Sequence, residues 1–326
     1  MNVSLVYLRV MAIFLIVNSH LSELYPVSSM SFGGHLGNTI FYFISGLGLS
    51  ISYSRSPIST SAWFRKRITK ILIPVLLFLF ILNFGNWNVF LQVVLNNLIW
   101  HDLKQMTYFL PVLLFLYLIF LPTQKMNNKT IVSFIIIIFI LSSLAFFVKV
   151  CSIEQVPSNL PSSSIFFPLN ALLAFCMGIL LARESESVMI ITVKQIHPFF
   201  FLLGIIASQG LHQLFVYVGG WYITINFYLN FITLLSLYML FSSFKYELSS
   251  RFVPILNIIA SSSLAIYLVH FRYIHIVDDL NVEFPYNVAQ VYLYTIIFAY
   301  SLTRLSDYIL NYFLMTTKNR FQSHFS

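Results

Sequence analysis

The chain has 326 residues, of which 59% are hydrophobic, 17% aromatic and only 9% charged, with a net charge of +8. A soluble domain carries about 25% charged residues because its surface faces water, so this composition excludes an ordinary water-soluble enzyme and predicts an all-α integral membrane protein. The basic residues lie in short loops between apolar runs and not on one face, which excludes a nucleic-acid-binding domain and matches the loop asymmetry of membrane proteins.

Apolar runs of about 20 residues cross a bilayer core. In chain order, about ten such spans are predicted, over roughly 4–22, 36–53, 69–84, 106–122, 130–150, 165–183, 197–217, 221–243, 255–273 and 288–314. The first contains Arg9 and His20 and lacks a small-residue cleavage site, so it reads as a span and not as a cleaved signal peptide. The shorter, more polar stretch 88–101 reads as an interfacial or partly buried helix, and the segment after Ser152, with Pro157, Pro161 and Pro168, as a Ser/Pro-rich loop. Cys151 and Cys176 show no metal-ligand spacing, which predicts neither a metal site nor a disulfide framework. No internal repeat is visible, and residues 1–326 read as one transmembrane domain.

Placing the N-terminus inside sends Arg55, Arg65, Lys66, Arg67, Lys70, Lys125, Lys129, Arg183, Lys194, Lys245, Arg251, Lys318 and Arg320 to the inner side. Only Lys104, Lys149 and Arg272 fall outside, together with the acidic Glu23, Asp102, Glu154, Asp278, Asp279 and Glu283. Lys/Arg asymmetry orients membrane proteins, so both termini are predicted to be cytoplasmic, which requires an even number of spans.

Ionisable side chains inside spans are costly and mark function. Arg9 and His20 are eleven positions apart, three helical turns plus about 20°, which predicts one shared helix face and a separation of about 16 Å. The run Trp63-Phe64-Arg65-Lys66-Arg67-Ile68-Thr69-Lys70 is a positive inner loop, and Arg67 and Lys70, at i and i+3 near a helix N-terminus, also suit an anion such as phosphate. Ser45-Gly46 in the second span reads as a packing motif. Ser263, Tyr267 and His270 follow one helical stripe, and Arg304 and Asp307 are placed to form a structural ion pair.

These phrases, in this order, resemble the membrane-bound acyltransferase-3 family. The resemblance rests on Arg9 and His20, Phe41-Tyr42-Phe43-Ile44-Ser45-Gly46, Arg67-Ile68-Thr69-Lys70 with Pro74, and Ser263-Leu264-Ala265-Ile266-Tyr267-Leu268-Val269-His270. Weaker echoes are Tyr108-Phe109-Leu110-Pro111 to Tyr117 and Phe175-Cys176-Met177-Gly178. Lys70 stands where the family more often has arginine, which keeps the charge and loses the bidentate fork. The resemblance implies a bacterial inner-membrane O-acyltransferase, most often an O-acetyltransferase, moving an acyl group from cytosolic acetyl-CoA to a hydroxyl of an envelope glycan or lipid-linked glycan.

On that reading His20 is the base or nucleophile and Arg9 holds CoA phosphate or orients the donor. Arg65, Arg67 and Lys70 bind the nucleotide, while Ser45, Ser263, Tyr267 and His270 bind substrate. A flippase or transporter of a lipid-linked glycan is the alternative for ten spans with intramembrane charges, although no visible repeat supports it. Acyl-CoA consumption separates the two.

Overall fold

A computed structural model of the chain describes residues 3–55, 59–98, 109–151, 166–184, 196–218, 222–243 and 252–322. The described residues form helices without strands: α1 (Val3–Asn18), α2 (Gly34–Ser54), α3 (Thr60–Leu82), α4 (Trp87–Leu98), α5 (Phe109–Thr123), α6 (Asn128–Cys151) and α7 (Phe166–Glu184). They continue with α8 (Pro198–Val218), α9 (Tyr222–Ser243), α10 (Val253–Ser261), α11 (Ser263–Asp279) and α12 (Tyr286–Gln322). The all-α expectation holds. The Ser/Pro-rich loop around Pro157 and Pro161, and the loop cations Lys104, Lys194, Lys245 and Arg251, lie outside the described residues.

Local chemistry sets several boundaries. Helix α3 begins earlier than the predicted 69–84 because the Ser59 hydroxyl accepts from the Ala62 amide at 3.4 Å and thereby supplies an N-cap. The basic motif consequently lies inside α3, with Trp63, Arg67 and Lys70 along one side at i, i+4 and i+7. The predicted interfacial helix is α4, whose described residues are mostly exposed.

The predicted span 255–273 is two helices. The chain breaks at Ser262 between α10 and α11, and the two axes are bent by 75°. Three consecutive serines stand there, and the Ser261 hydroxyl donates back to the Ile258 carbonyl at 2.9 Å. Such back-bonding competes with the backbone ladder and bends helices.

Among the described residues no single helix is both long and apolar enough to cross a membrane, whereas the bent pair Phe252–Ser261 and Ser263–Asp279 is so taken together. Shorter apolar helices of 10–17 residues run over Ser4–Asn18, Phe109–Thr123, Asn128–Leu144, Pro168–Arg183, Pro198–Leu214 and Tyr228–Ser243.

The core is centred on α2, which packs on α7 and on α1. Residues Leu36 to Leu49 of α2 are nearly all buried. The α2–α7 crossing is close because both helices present glycine: a Cβ on Gly46 would strike the Phe175 carbonyl oxygen, and one on Gly178 would strike that of Phe43. Small residues at such a crossing let the backbones approach closely and gain packing contact. The remaining helices pair as α8 with α9, α6 with α7 and α11 with α12.

Candidate functional site

Helices α1, α2, α3, α5, α11 and α12, with the end of α10, border an open cavity of about 770 Å³. Five cations line it: Arg9 from α1, Arg55 from the end of α2, and Lys66, Arg67 and Lys70 from α3. Asp307 of α12 is the one acid among its lining residues. Hydroxyl residues, among them Ser45, Ser52, Tyr117 and Ser263, add to the polar wall.

Arg67 is held on two sides. Its guanidinium donates to the Ser52 hydroxyl and lies 5.6 Å from the centre of the buried Trp63 ring. Trp63 is itself clamped, stacked on Phe120 at 5.1 Å and met edge-on by Tyr53 at 5.3 Å. A planar cation resting on an aromatic face with one arm hydrogen-bonded is already oriented, so little rotamer entropy is lost when it grips an anion. Arg9 interacts electrostatically with Arg67 as a like charge and with the Tyr117 hydroxyl. Lys70 feels Arg67 and Lys66 as like charges and Asp307 as an opposite one. Convergent cations with a single acid among them form a cavity that favours a polyanion.

A second cluster stands beyond this cavity. Helix α11 carries Ser263 on the cavity wall, then Tyr267 and His270 on the same side, about 10 Å further along the axis. His270 is fully buried, and its ring centre is 5.3 Å from that of His20 and 4.0 Å from that of Phe271. The Nδ1 of His270 is 2.7 Å from the Tyr267 carbonyl oxygen. A carbonyl only accepts, so Nδ1 carries the proton. Nε2, the remaining acceptor, has no hydrogen-bond partner among the described residues.

His20 differs from expectation. Helix α1 stops at Asn18, and His20 lies in the turn beyond it, exposed, with its amide on the Val17 carbonyl at 3.0 Å. The face shared with Arg9 therefore does not reach it, and it is not deep within a span. The helix ends there because the Asn18 side chain turns to the returning loop: its amide donates to the Met30 and Phe32 carbonyls at 2.9 and 3.0 Å. Its carbonyl oxygen accepts from the Tyr25 hydroxyl at 2.6 Å. Burial pushes the Tyr25 pKa up, which keeps that hydroxyl protonated as a donor. Ser31 donates to the Ser19 carbonyl at 2.9 Å, and Gly34, where a Cβ would meet the Ser19 side chain, brings the start of α2 against the same turn. The loop is tied to α12 by Asn287, whose amide donates to the Leu24 carbonyl at 2.8 Å.

The predicted residues thus fall into two groups. Arg9, Ser45, Arg67, Lys70 and Ser263 line the cavity, whereas His20, Tyr267 and His270 form the second cluster, and Arg65 is exposed away from both. Ser45 donates to the Phe41 carbonyl at 2.7 Å while facing the cavity. Arg304 lies over the Tyr300 ring at 5.8 Å, and Asp307 faces Lys70 in the cavity, which replaces the expected Arg304–Asp307 pair. Ser52, Trp63 and Asp307 were not singled out as site residues from sequence. Trp63 and Asp307 carried the signal of i, i+4 spacing to Arg67 and of an acid in an apolar run, but Ser52 carried none.

The acyltransferase-3 family model, described as an acyltransferase domain, matches residues 2–304. The chain belongs to the acyltransferase-3 family. It is an acyltransferase by that membership, and the match includes the five cavity cations and the histidine cluster but stops before Asp307. Neither the curated proteins nor the solved structures include a significant match to the chain.

Proposed function

We propose that this acyltransferase is a multi-pass inner-membrane O-acyltransferase with about ten spans and both termini in the cytoplasm. It takes the acyl group, acetyl in the simplest case, from cytosolic acyl-CoA and passes it to a hydroxyl of a cell-envelope glycan or its lipid-linked precursor. Apolar composition, the inner bias of Lys and Arg and the family support the membrane reading. The observation that carries the donor assignment is the cavity in which Arg9, Arg55, Lys66, Arg67 and Lys70 converge around a pre-oriented guanidinium. Coenzyme A is the polyanionic acyl carrier that such a cavity suits.

In the reaction the acceptor hydroxyl loses its proton to the imidazole of His20 as its oxygen attacks the thioester carbonyl. The carbon–sulfur bond breaks, CoA leaves as the thiolate, and the imidazolium returns the proton to that sulfur. Arg67 and Lys70 hold phosphate, Arg9 orients the donor deeper in the cavity, and Ser263 lies on the path toward the histidines. The exposure of His20 at the opposite end of α1 from the cavity suits an acceptor that arrives from the outer side.

The test is acyl transfer from radiolabelled acetyl-CoA in membranes containing wild type, His20→Ala or Arg9→Ala at matched protein levels. Label reaching glycan in the wild type and in neither variant supports the reading. Transfer that persists in His20→Ala removes the catalytic assignment, and glycan export without acyl-CoA consumption replaces the enzyme by a transporter.

A further inference from the structure

Helix α2 meets the cavity along one stripe. Ser45, Gly48, Ser52 and Arg55 all line it, at the three- and four-residue spacing of a single helix face. Exposure rises along that stripe: Ser45 is buried, Gly48 and Ser52 are half-buried, and Arg55 is exposed. The stripe covers about 15 Å of helix axis. Its open end carries the charge, since Arg55 stands there and Arg67 donates to Ser52. Gly48 interrupts the row of side chains. A Cβ at Gly48 would meet no atom within 4 Å among the described residues, unlike Gly46 and Gly178, whose Cβ atoms would strike backbone at the α2–α7 crossing. Glycine inside a helix costs about 0.5–1 kcal/mol relative to alanine, and packing gives no reason for it at this position.

We infer that Gly48 is where the cavity admits the pantetheine arm of the donor, between its phosphates and its thioester. The inference rests on the donor reading above. With phosphate on Arg67, the nucleotide end of CoA lies level with Ser52 and Arg55, at the open end of the stripe. The arm then runs inward along α2, toward the buried Ser45. Gly48 lies about one helical turn inward of Ser52, so the arm crosses bare backbone directly after the phosphates. A neutral chain of amides and methylenes needs clearance at that point and no charge, and a missing Cβ lets a ligand come close to the backbone. A side chain at position 48 would enter the cavity itself, because open space is what it meets. It would narrow the passage while leaving Ser52, Trp63 and Arg67 as they stand.

The experiment compares CoA with 3′-phospho-ADP, its nucleotide end without the pantetheine arm. Binding of each is measured by titration calorimetry to detergent-purified full chain, as wild type, Gly48→Ala and Gly48→Leu, each checked for folding by thermal unfolding. Gly48→Leu is expected to bind CoA about 10-fold or more weaker than wild type, the equivalent of one overpacked contact, and to bind 3′-phospho-ADP within about twofold of wild type. Gly48→Ala falls between wild type and Gly48→Leu for CoA and is unchanged for the nucleotide. CoA binding by folded Gly48→Leu within about twofold of wild type overturns the inference. An equal loss of both ligands overturns it as well, since a blocked arm spares the nucleotide. If Gly48→Leu does not fold, Gly48→Ala decides by the same comparison. Wild type that binds CoA but not 3′-phospho-ADP also removes the inference, because the route of the arm starts from phosphates held at the cations. In each of these cases CoA still binds wild type and the donor reading stands, whereas wild type that binds neither ligand removes both.

Discussion

The His20 and His270 rings lie 5.3 Å apart, one exposed in the turn after the first helix and the other fully buried in the eleventh. The proton on Nδ1 of His270 is committed to the Tyr267 carbonyl, which leaves its Nε2 lone pair bare next to the histidine proposed as base. On the proposed reading that bare acceptor is placed to take a hydrogen bond from the His20 ring and so to orient it during transfer. His270→Ala is expected to lower kcat for acyl transfer by about 100-fold, within the range for disturbing a general base, and to leave KM for acetyl-CoA within about twofold. Steady-state kinetics with labelled donor check this, and a change confined to KM would return His270 to substrate binding.

Arg67 owes its pose to Ser52 and Trp63. A charge-assisted hydrogen bond is worth about 1.5–3 kcal/mol, so Arg67→Ala should raise KM for acetyl-CoA by about 10- to 100-fold with a smaller effect on kcat. Arg67→Lys is expected to recover only part of this, because an ammonium keeps the charge without the planar fork. A KM for acetyl-CoA in Arg67→Ala within about twofold of wild type would remove Arg67 from the donor site.

Asp307 opposes the cations around it and faces Lys70. Removing its charge takes away one repulsion on a bound phosphate, about 1 kcal/mol across a few ångströms of solvated cavity. Asp307→Asn should therefore bind CoA about fivefold more tightly at low salt, with the gain fading as ionic strength rises. Titration at two salt concentrations checks it, and weaker binding in Asp307→Asn would show that the carboxylate contributes by holding Lys70.

At the α2–α7 crossing, Gly46 faces the Phe175 carbonyl and Gly178 faces that of Phe43. Forcing a side chain into such a contact costs about 1–3 kcal/mol or more, so Gly46→Val should lower the thermal midpoint of the detergent-purified protein by several degrees or prevent its accumulation. Gly48, two residues on, has open space where a Cβ would go. Gly48→Ala should hold or raise the midpoint, since alanine stabilises a helix by about 0.5–1 kcal/mol over glycine. Equal losses in both variants would argue against the close crossing.

Much of this was legible in the amino-acid order. Composition and runs of apolar residues indicated helices, because a chain with so few charges buries its backbone polar groups internally. The phrases around Arg9, Ser45, Arg67 and Ser263 named residues that line one cavity, since each lies on a regular helix whose period is known in advance. The helix-face argument failed at His20 because it assumed that α1 continued past Asn18, where a side-chain bond to a loop a dozen residues away ends it. The break at Ser262 was missed for a similar reason: a run of serines permits a bend, and packing decides whether it occurs.

Local order alone therefore determined that the chain is helical, which side of each helix carries its polar groups, and which family the ordered motifs indicate. Only the tertiary structure decided that the named residues divide into a cation-lined cavity and a separate histidine pair. It decided too that Ser52, Trp63 and Asp307 belong with the cations. The periodicity of a helix assigns a residue to a face of its own element, but distances between elements depend on where glycines let backbones touch and where helices end. Those are properties of the packed whole.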